Sequence, residues 1–211
     1  MRKLLLILFL ATNALASHAQ HTGYTLLNDL SKFKEQFTAT AKKTLTIKSD
    51  FVQEKNLSML AEKITSKGKF WFKQTSLVRM EYSHPFQYLM IINKDKVYIK
   101  DGAKENTIST KSNKTFQQIN KITVDCVQGT VLDNPDFKTK IFENKNTYLI
   151  ELSPVAKGLK DFFKVINVIV DKKDYGVSSI EMGENSGDNT IIRFANKEIN
   201  TTISDALFII K

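Results

Sequence analysis

Apolar and polar side chains alternate along residues Ile64–Tyr82. Such alternation is typical of a sheet with one apolar and one solvated face, because successive side chains of a strand point to opposite sides. The pattern predicts two strands joined at Gln74, and the apolar face that they share is large and rich in aromatic rings. Its predicted members are Phe70, Phe72, Val78, Met80 and Tyr82.

A different spacing precedes this pair of strands. From Tyr24 to about Ala41, apolar residues recur three or four positions apart, which predicts an amphipathic helix with one apolar stripe. The stripe consists of Leu26, Leu30, Phe33 and Phe37. Most of this stripe is expected to pack against the core.

Short runs with strand-like alternation occupy most of the remaining chain. A first strand is predicted at Leu45–Glu54, and a hairpin at Tyr88–Ile92 and Lys96–Lys100. Later strands are predicted at Phe137–Glu143, Thr147–Leu152, Phe162–Val170, Val177–Met182, Thr190–Asn196 and, as the last, Asp205–Ile210. Short strands at regular spacing indicate a meander, built as a barrel or as a strongly curved open sheet. The sequence shows no repeat or linker, so residues 20–211 are predicted to form one domain.

A second helical pattern interrupts the strands. Asn113 can cap a helix, and Phe116, Ile119 and Cys126 fall on one side of it. A weakly apolar helix inserted into a β-fold is a candidate lid. A static plug that completes the core is an equally good interpretation.

The first 19 residues have the pattern of a secretory signal peptide. Met1-Arg2-Lys3 precedes an apolar run, Leu4–Ala11, that is too short to span a bilayer. Cleavage is expected after Ala19, with a cut three residues earlier as the alternative. No cysteine lies near either point, so a lipid-modified signal is not expected. An N-terminal membrane anchor is the other interpretation of this segment.

The chain is basic, with a formal net charge of +9. A basic protein can favour anionic surfaces, but the lysines here are scattered along strands and turns, which indicates a solvated surface. Basic and aromatic residues interleave closely only around Trp71, so nucleic-acid binding is not expected. Cys126 is the only cysteine; it cannot form an internal disulfide, and a buried apolar role is expected for it.

The sequence lacks the groups of common catalytic sites. Beyond the signal region only His21 and His84 remain, and the neighbours Ser83 and His84 would point to opposite faces of a strand. There is no nucleophile elbow, phosphate loop or dinucleotide fingerprint, and no cluster with metal-ligand spacing. We therefore expect no enzyme, no metal and no cofactor. A hydrolase would require a serine from elsewhere to converge on His84.

Three runs resemble the outer-membrane lipoprotein carrier protein LolA family. They are SDFVQ at Ser49–Gln53, SKGKFWFKQTSLVRMEY ending at Tyr82, and LMIINKDKVYIKDG at Leu89–Gly102. No single motif is specific, and it is their order that carries the resemblance. The resemblance is clear over Leu26–Gly102 and looser beyond.

The resemblance implies a mainly β fold (α+β), an unclosed or half β-barrel of about eleven antiparallel strands under a helical lid. It also implies a periplasmic carrier that holds lipoprotein acyl chains in a hydrophobic cavity. Its expected partners are acylated lipoproteins, an inner-membrane lipoprotein-releasing ABC transporter and an outer-membrane lipoprotein receptor. A monomer is expected. The missing lipidation cysteine favours the carrier over the related, lipid-anchored receptor.

The sequence departs from the family pattern at one place. Proteobacterial members carry an arginine and a proline after the lysine of the central strand, and that arginine tethers the lid. Gln74 and Thr75 stand there in this chain, so a weaker lid contact at Gln74 is expected. A LolA-like carrier or sensor of another acylated or lipidic molecule, such as a glycolipid or a pigment ester, is the alternative function.

Shared parity in the central strands predicts the residues that line the cavity. They are Phe70, Phe72, Val78, Met80, Tyr82, Leu89, Ile91, Val97 and Ile99. Leu30 and Phe33 of the first helix, with Phe116 and Ile119 of the second, would cover it. A dry, packed core made of the same residues is the competing interpretation.

Overall fold

The structure is a computed structural model that describes residues 21–60, 62–74, 76–94, 96–109, 122 and 124–210. Within these residues, twelve strands form a single antiparallel sheet in the order β1-β8-β9-β10-β11-β12-β2-β3-β4-β5-β6-β7. The strands are β1 (Thr25–Leu26), β2 (Thr46–Leu57), β3 (Glu62–Lys73), β4 (Leu77–His84), β5 (Tyr88–Asn93), β6 (Lys96–Asp101), β7 (Lys104–Ser109), β8 (Phe137–Glu143), β9 (Thr147–Pro154), β10 (Phe163–Asp171), β11 (Val177–Glu184) and β12 (Asn189–Ile199). The edge strands β1 and β7 do not pair with each other, so the sheet is not closed.

Helical segments are few among the residues that the structure describes. Helix α1 spans Ser31–Lys43, residues 122 and 124–128 are the described helical part of α2, and α3 spans Lys157–Lys160. Two 3₁₀ turns follow at Thr130–Asp133 and Asp205–Phe208. The predicted mainly β, unclosed fold is therefore confirmed.

The N-terminal helix begins later than its apolar stripe predicts. Thr25 and Leu26 form β1 and pair with Glu143 and Phe142, so the prediction of a helix from Tyr24 was wrong. The helix begins at Ser31, whose backbone amide donates to Asp29 Oδ1 at 2.9 Å. A carboxylate at this place satisfies one of the amides that a helix start leaves without a partner.

Two apolar clusters lie on the inner face of the sheet. The first joins α1 to β8, β9 and β10, and Phe33 of α1 packs there against Tyr148, with 4.5 Å between ring centroids. The second lies on β2–β6 and includes Phe51, Phe72 and Val78. Helix α2 lies between them, because Ile122 and Cys126 pack in the first cluster and Val124 in the second.

A third cluster covers the outer face of β3–β6. The C-terminal segment, residues 203–210, packs Ile203 and Phe208 against Ile91 and Tyr98. The predicted last strand at Asp205–Ile210 was wrong, because Asp205–Phe208 forms a 3₁₀ turn. The backbone carbonyls of this turn accept hydrogen bonds from side chains of the sheet. Arg79 Nη1 donates to the Leu207 carbonyl oxygen at 3.1 Å, and Asn93 Nδ2 donates to the Phe208 carbonyl oxygen at 3.0 Å.

Candidate functional site

An apolar cavity of about 390 Å³ opens on the inner face of the sheet. It lies toward the end of the sheet that carries the β2–β3, β4–β5 and β11–β12 turns. We call this the upper end of the sheet and the opposite one the lower end. We call this space the upper cavity. One wall consists of Val78, Met80 and Tyr82 of β4 with Tyr88, Met90 and Ile92 of β5. The opposite wall includes Phe163, Ile180, Met182 and Ile192, and Ile122 of α2 also lines the space.

The register between β4 and β5 decides which residues face this cavity. Val78 pairs with Ile92, Met80 with Met90, and Tyr82 with Tyr88. Directly paired residues of an antiparallel sheet lie on the same face, so the even-numbered residues of β5 face inward with those of β4.

The expectation that Leu89 and Ile91 share the inner face was therefore wrong. Both belong to the outer cluster beneath the C-terminal segment. The sequence run Tyr88–Ile92 is apolar at every position because both faces of β5 are covered. It offers no alternation from which a face could be predicted.

Three other predicted residues form the packed base of the same inner face. Phe72 and Val97 are fully buried, and Ile99 packs against their cluster. None of these three lines the upper cavity or the second, smaller apolar cavity of the inner face. Phe70 lines that second cavity.

The predicted lid residues have mixed outcomes. Phe33 is buried against β9 and Leu30 packs on the same cluster, so neither lines either cavity. They do not cover the predicted cavity residues, because the start of α1 packs on β8, β9 and β10. Only farther along α1 do Phe37 and Ala41 lie near Phe70. Phe116 and Ile119 lie outside the described residues.

Gln74 lies in the β3–β4 turn at the lower end of the sheet. Its backbone amide donates to the Leu45 carbonyl oxygen at 2.8 Å, and the residue is exposed. Its contact with a lid remains a prediction.

The upper cavity contains few polar groups. Tyr82 donates its phenolic hydrogen to Gln53 Oε1 at 2.9 Å. Burial raises the pKa of Tyr82 above its ordinary value, and the neighbouring phenol of Tyr88 adds a smaller increase. At the rim, Lys55 Nζ lies 3.3 Å from Glu184 Oε1. These groups are paired, so the cavity offers an apolar guest a neutral interior.

Exposed apolar side chains are concentrated around this opening. Met59 is 91% exposed and Leu60 63% exposed in the β2–β3 turn, and Phe86 is 74% exposed in the β4–β5 turn. Phe162 is 45% exposed and also lines the cavity. We call Met59, Leu60, Phe86 and Phe162 the upper rim.

A second apolar cavity of about 200 Å³ lies toward the opposite end of the inner face. We call it the lower cavity. Its lining includes Phe37 and Ala41 of α1, Ser49 of β2, Phe70 of β3 and Lys197 of β12. Ile180 of β11 lines both cavities.

The described residues contain no cluster of three His, Cys, Asp or Glu side chains that could hold a metal ion. Cys126 is buried, and burial raises the pKa of its thiol above the ordinary value. Ser83 donates its hydroxyl hydrogen to the Lys67 carbonyl oxygen at 3.3 Å. No helix of the described part is long and apolar enough to cross a membrane.

The fold and its cavities define a class of protein in which an open antiparallel sheet surrounds space for an apolar guest. The chain belongs to the LolA family: the model of outer membrane lipoprotein carrier protein LolA matches residues 42–211. No curated protein sequence matches the chain.

Solved structures match the chain at low sequence identity. An uncharacterized conserved protein from Thermus thermophilus is 9% identical, with a TM-score of 0.50, and the match covers 85% of this chain and 93% of that one. A LolA superfamily protein from Nitrosomonas europaea is 7% identical, with a TM-score of 0.46 and coverage of 83% and 97%. A DUF1329 family protein from Desulfovibrio piger is 14% identical, with a TM-score of 0.47 and coverage of 86% and 98%.

Proposed function

We propose that the protein is a periplasmic carrier that binds the acyl chains of lipoproteins in the upper cavity and carries them from the inner to the outer membrane. Residues 1–19 would be the signal peptide that exports it. An inner-membrane lipoprotein-releasing ABC transporter would load it, and an outer-membrane receptor would take the cargo. Membership of the LolA family and the upper cavity support this function.

The physical chemistry of the cargo explains why such a cavity is needed. Each buried methylene of an acyl chain gains about 0.8 kcal/mol, so a lipidated protein does not cross water at a useful rate unless its chains are covered. The upper cavity covers apolar chains with Met80, Met90 and Met182 among its walls. Methionine side chains are flexible and adapt to irregular shapes, which suits release as well as binding.

The observation that carries the proposal is the open apolar cavity on the inner face of the sheet. Three residues of β4 and the three residues of β5 that pair with them line this cavity. A dry, packed core would leave no such space. The same cavity would also suit another acylated molecule, and the mass of a co-purifying ligand distinguishes the two.

The first experiment is native mass spectrometry of the protein purified from its own periplasm. A co-purifying diacyl or triacyl lipopeptide is the expected result. A bound glycolipid or pigment ester would replace the lipoprotein with another cargo. Protein that is consistently empty and takes up no added acylated peptide would overturn the carrier function.

A matched pair of variants locates the bound chain. Met90→Glu places a charge in the upper cavity and is expected to abolish uptake of the acylated peptide. Leu89→Glu, one residue away on the outer face, is expected to loosen the C-terminal segment and to retain uptake. Circular dichroism checks that both variants remain folded. Equal loss of uptake in both would contradict binding in the upper cavity.

A further inference from the structure

The lower cavity contains a buried hydroxyl group without a hydrogen-bond partner. Ser49 is 3% exposed and lines the cavity, and its Oγ has no partner among the described residues. Leaving a buried polar group unpaired costs free energy, so most such groups in proteins are paired. The cavity measures about 200 Å³, against the roughly 15 Å³ that one water molecule requires. It therefore has space for a larger partner of Ser49.

A β-bulge in β12 directs a charged side chain to the same cavity. Ala195 pairs with Asp50 and Glu198 pairs with Lys48, so Asn196 and Lys197 together stand opposite Ser49. The extra residue shifts the alternation of β12, and bulges commonly re-aim side chains in this way. Asn196 adopts a φ of 52° and donates to Asp50 Oδ2 at 2.8 Å, while Lys197 lines the cavity.

The ammonium group of Lys197 is held at the mouth of the lower cavity. It donates to the Val177 carbonyl oxygen at 3.3 Å and lies 3.7 Å from Asp174 Oδ2. The Asp174 side chain is 55% exposed, and its Oδ1 accepts a hydrogen bond from the Gly176 amide at 2.8 Å. Its Oδ2 contact with Lys197 is long and partly in solvent, where an ion pair contributes little, so the carboxylate of a ligand would displace Oδ2 at a small cost in free energy.

From these features we propose that the lower cavity binds a single-chain fatty acid that carries an oxygen substituent on its chain. The carboxylate would pair with Lys197, and the chain would lie among Phe37, Ile180 and Phe194. The substituent would hydrogen-bond to Ser49. This site is separate from the proposed lipoprotein cavity and does not depend on the cargo that the upper cavity takes.

The test is calorimetric titration with dodecanoic acid and with monohydroxylated dodecanoic acids that carry the hydroxyl at successive chain positions. The protein is first saturated at the upper cavity with an acylated peptide, or carries Met90→Glu, which places a charge in that cavity. One hydroxylated probe is expected to bind about three- to tenfold more tightly than dodecanoic acid, the gain of one additional buried hydrogen bond.

Two variants separate the roles of the polar groups. Ser49→Ala is expected to abolish the preference for the hydroxylated probe and to keep the affinity for dodecanoic acid. Lys197→Met is expected to weaken both probes by about three- to tenfold. Lys48→Met is the matched control, because Lys48 lies on the outer face of the same part of the sheet and pairs with Glu198.

A second measurement uses the protein without ligand. Ser49→Ala removes an unpaired buried hydroxyl, so its melting temperature is expected to equal or exceed that of the wild type. Absence of probe binding, a hydroxyl preference that survives Ser49→Ala, or equal losses with Lys197→Met and Lys48→Met would each overturn the proposal.

Discussion

The ring of Phe51 lies directly over the backbone of Gly68. The two residues are paired across β2 and β3, and a Cβ on Gly68 would lie 2.8 Å from two ring carbons of Phe51 and 2.1 Å from the Glu81 carbonyl oxygen. No side chain fits there without movement of the β4 backbone. Phe51 in turn contacts Tyr82 edge-on, with 4.8 Å between ring centroids, so the glycine supports a wall of the upper cavity.

Gly68→Ala is therefore expected to destabilise the fold by about 3 kcal/mol, because overpacking against backbone cannot be relieved by a rotamer change. Urea denaturation measures the free energy of unfolding. Gly158→Ala is the control, because Gly158 lies in α3 and an added Cβ would meet nothing within 4 Å. Its effect should stay below about 1 kcal/mol, and equal effects at the two glycines would contradict the predicted clash.

Phe208→Ala should detach the C-terminal segment from the outer face. Phe208 is 1% exposed against β5 and β6, whereas the adjacent Ile209 is 62% exposed. Truncating a buried phenylalanine costs about 3–5 kcal/mol, and here local detachment limits the loss. Hydrogen exchange of residues 203–210 is expected to accelerate. Ile209→Ala is expected to leave exchange unchanged, and similar acceleration in both variants would argue against anchoring by Phe208.

Tyr82 makes stability dependent on pH in the alkaline range. Its folded-state pKa is raised, chiefly by burial, so its contribution is complete below the unfolded-state pKa near 10 and is lost as pH rises toward the folded-state pKa. One such group contributes at most about 1.4 kcal/mol per pH unit in that window. Tyr82→Phe should lessen the fall in unfolding free energy between about pH 10 and 11.5. An unchanged slope would show that Tyr82 ionises equally in both states.

The upper rim should affect cargo exchange more than folding. Met59 and Leu60 are largely exposed, so replacing both with serine should change the unfolding free energy by less than about 0.5 kcal/mol. A chain that leaves the upper cavity crosses this rim and loses apolar contact there. Transfer of a fluorescent lipopeptide to vesicles is expected to slow about three- to tenfold. This change in rate corresponds to a fraction of the free energy gained by burying one apolar side chain.

The control for the rim is Leu26→Ser. Leu26 is 51% exposed but lies in β1, which pairs with the lower end of β8. Transfer by this variant should match the wild type. If Leu26→Ser slows transfer as much as the rim variant does, general surface hydrophobicity explains the effect instead.

Strands with one buried face were predictable from the sequence. Phe70, Val78, Met80 and Tyr82 alternate with lysine, arginine and glutamate, and all four line the cavities as their parity indicates. The strand Phe137–Glu143 has the predicted bounds for the same reason. A solvated face can be recognised in the sequence because it carries polar residues in alternation with the buried apolar ones.

Elements that are covered by distant parts of the chain were not predictable. The outer face of β5 is apolar because residues 203–210 pack over it, more than a hundred positions away. Likewise, the apolar stripe of α1 predicts that one face of the helix is buried, but it does not predict which strands cover that face. The structure shows contacts with β9 and β10. Ile180, Met182 and Ile192 alternate clearly, yet only the sheet order brings them opposite β4.

The bulge at Asn196 sets which side chains of β12 line the lower cavity. If β12 alternated regularly through Asn196, Lys197 and Ile199 would turn toward solvent and Glu198 would face inward. The irregular pairing thus gives the cavity a cationic mouth instead of an anionic one without altering any neighbouring strand. Deletion of Asn196 would leave Lys197 paired with Ser49, so a relative with a gap at this position would keep the same lining.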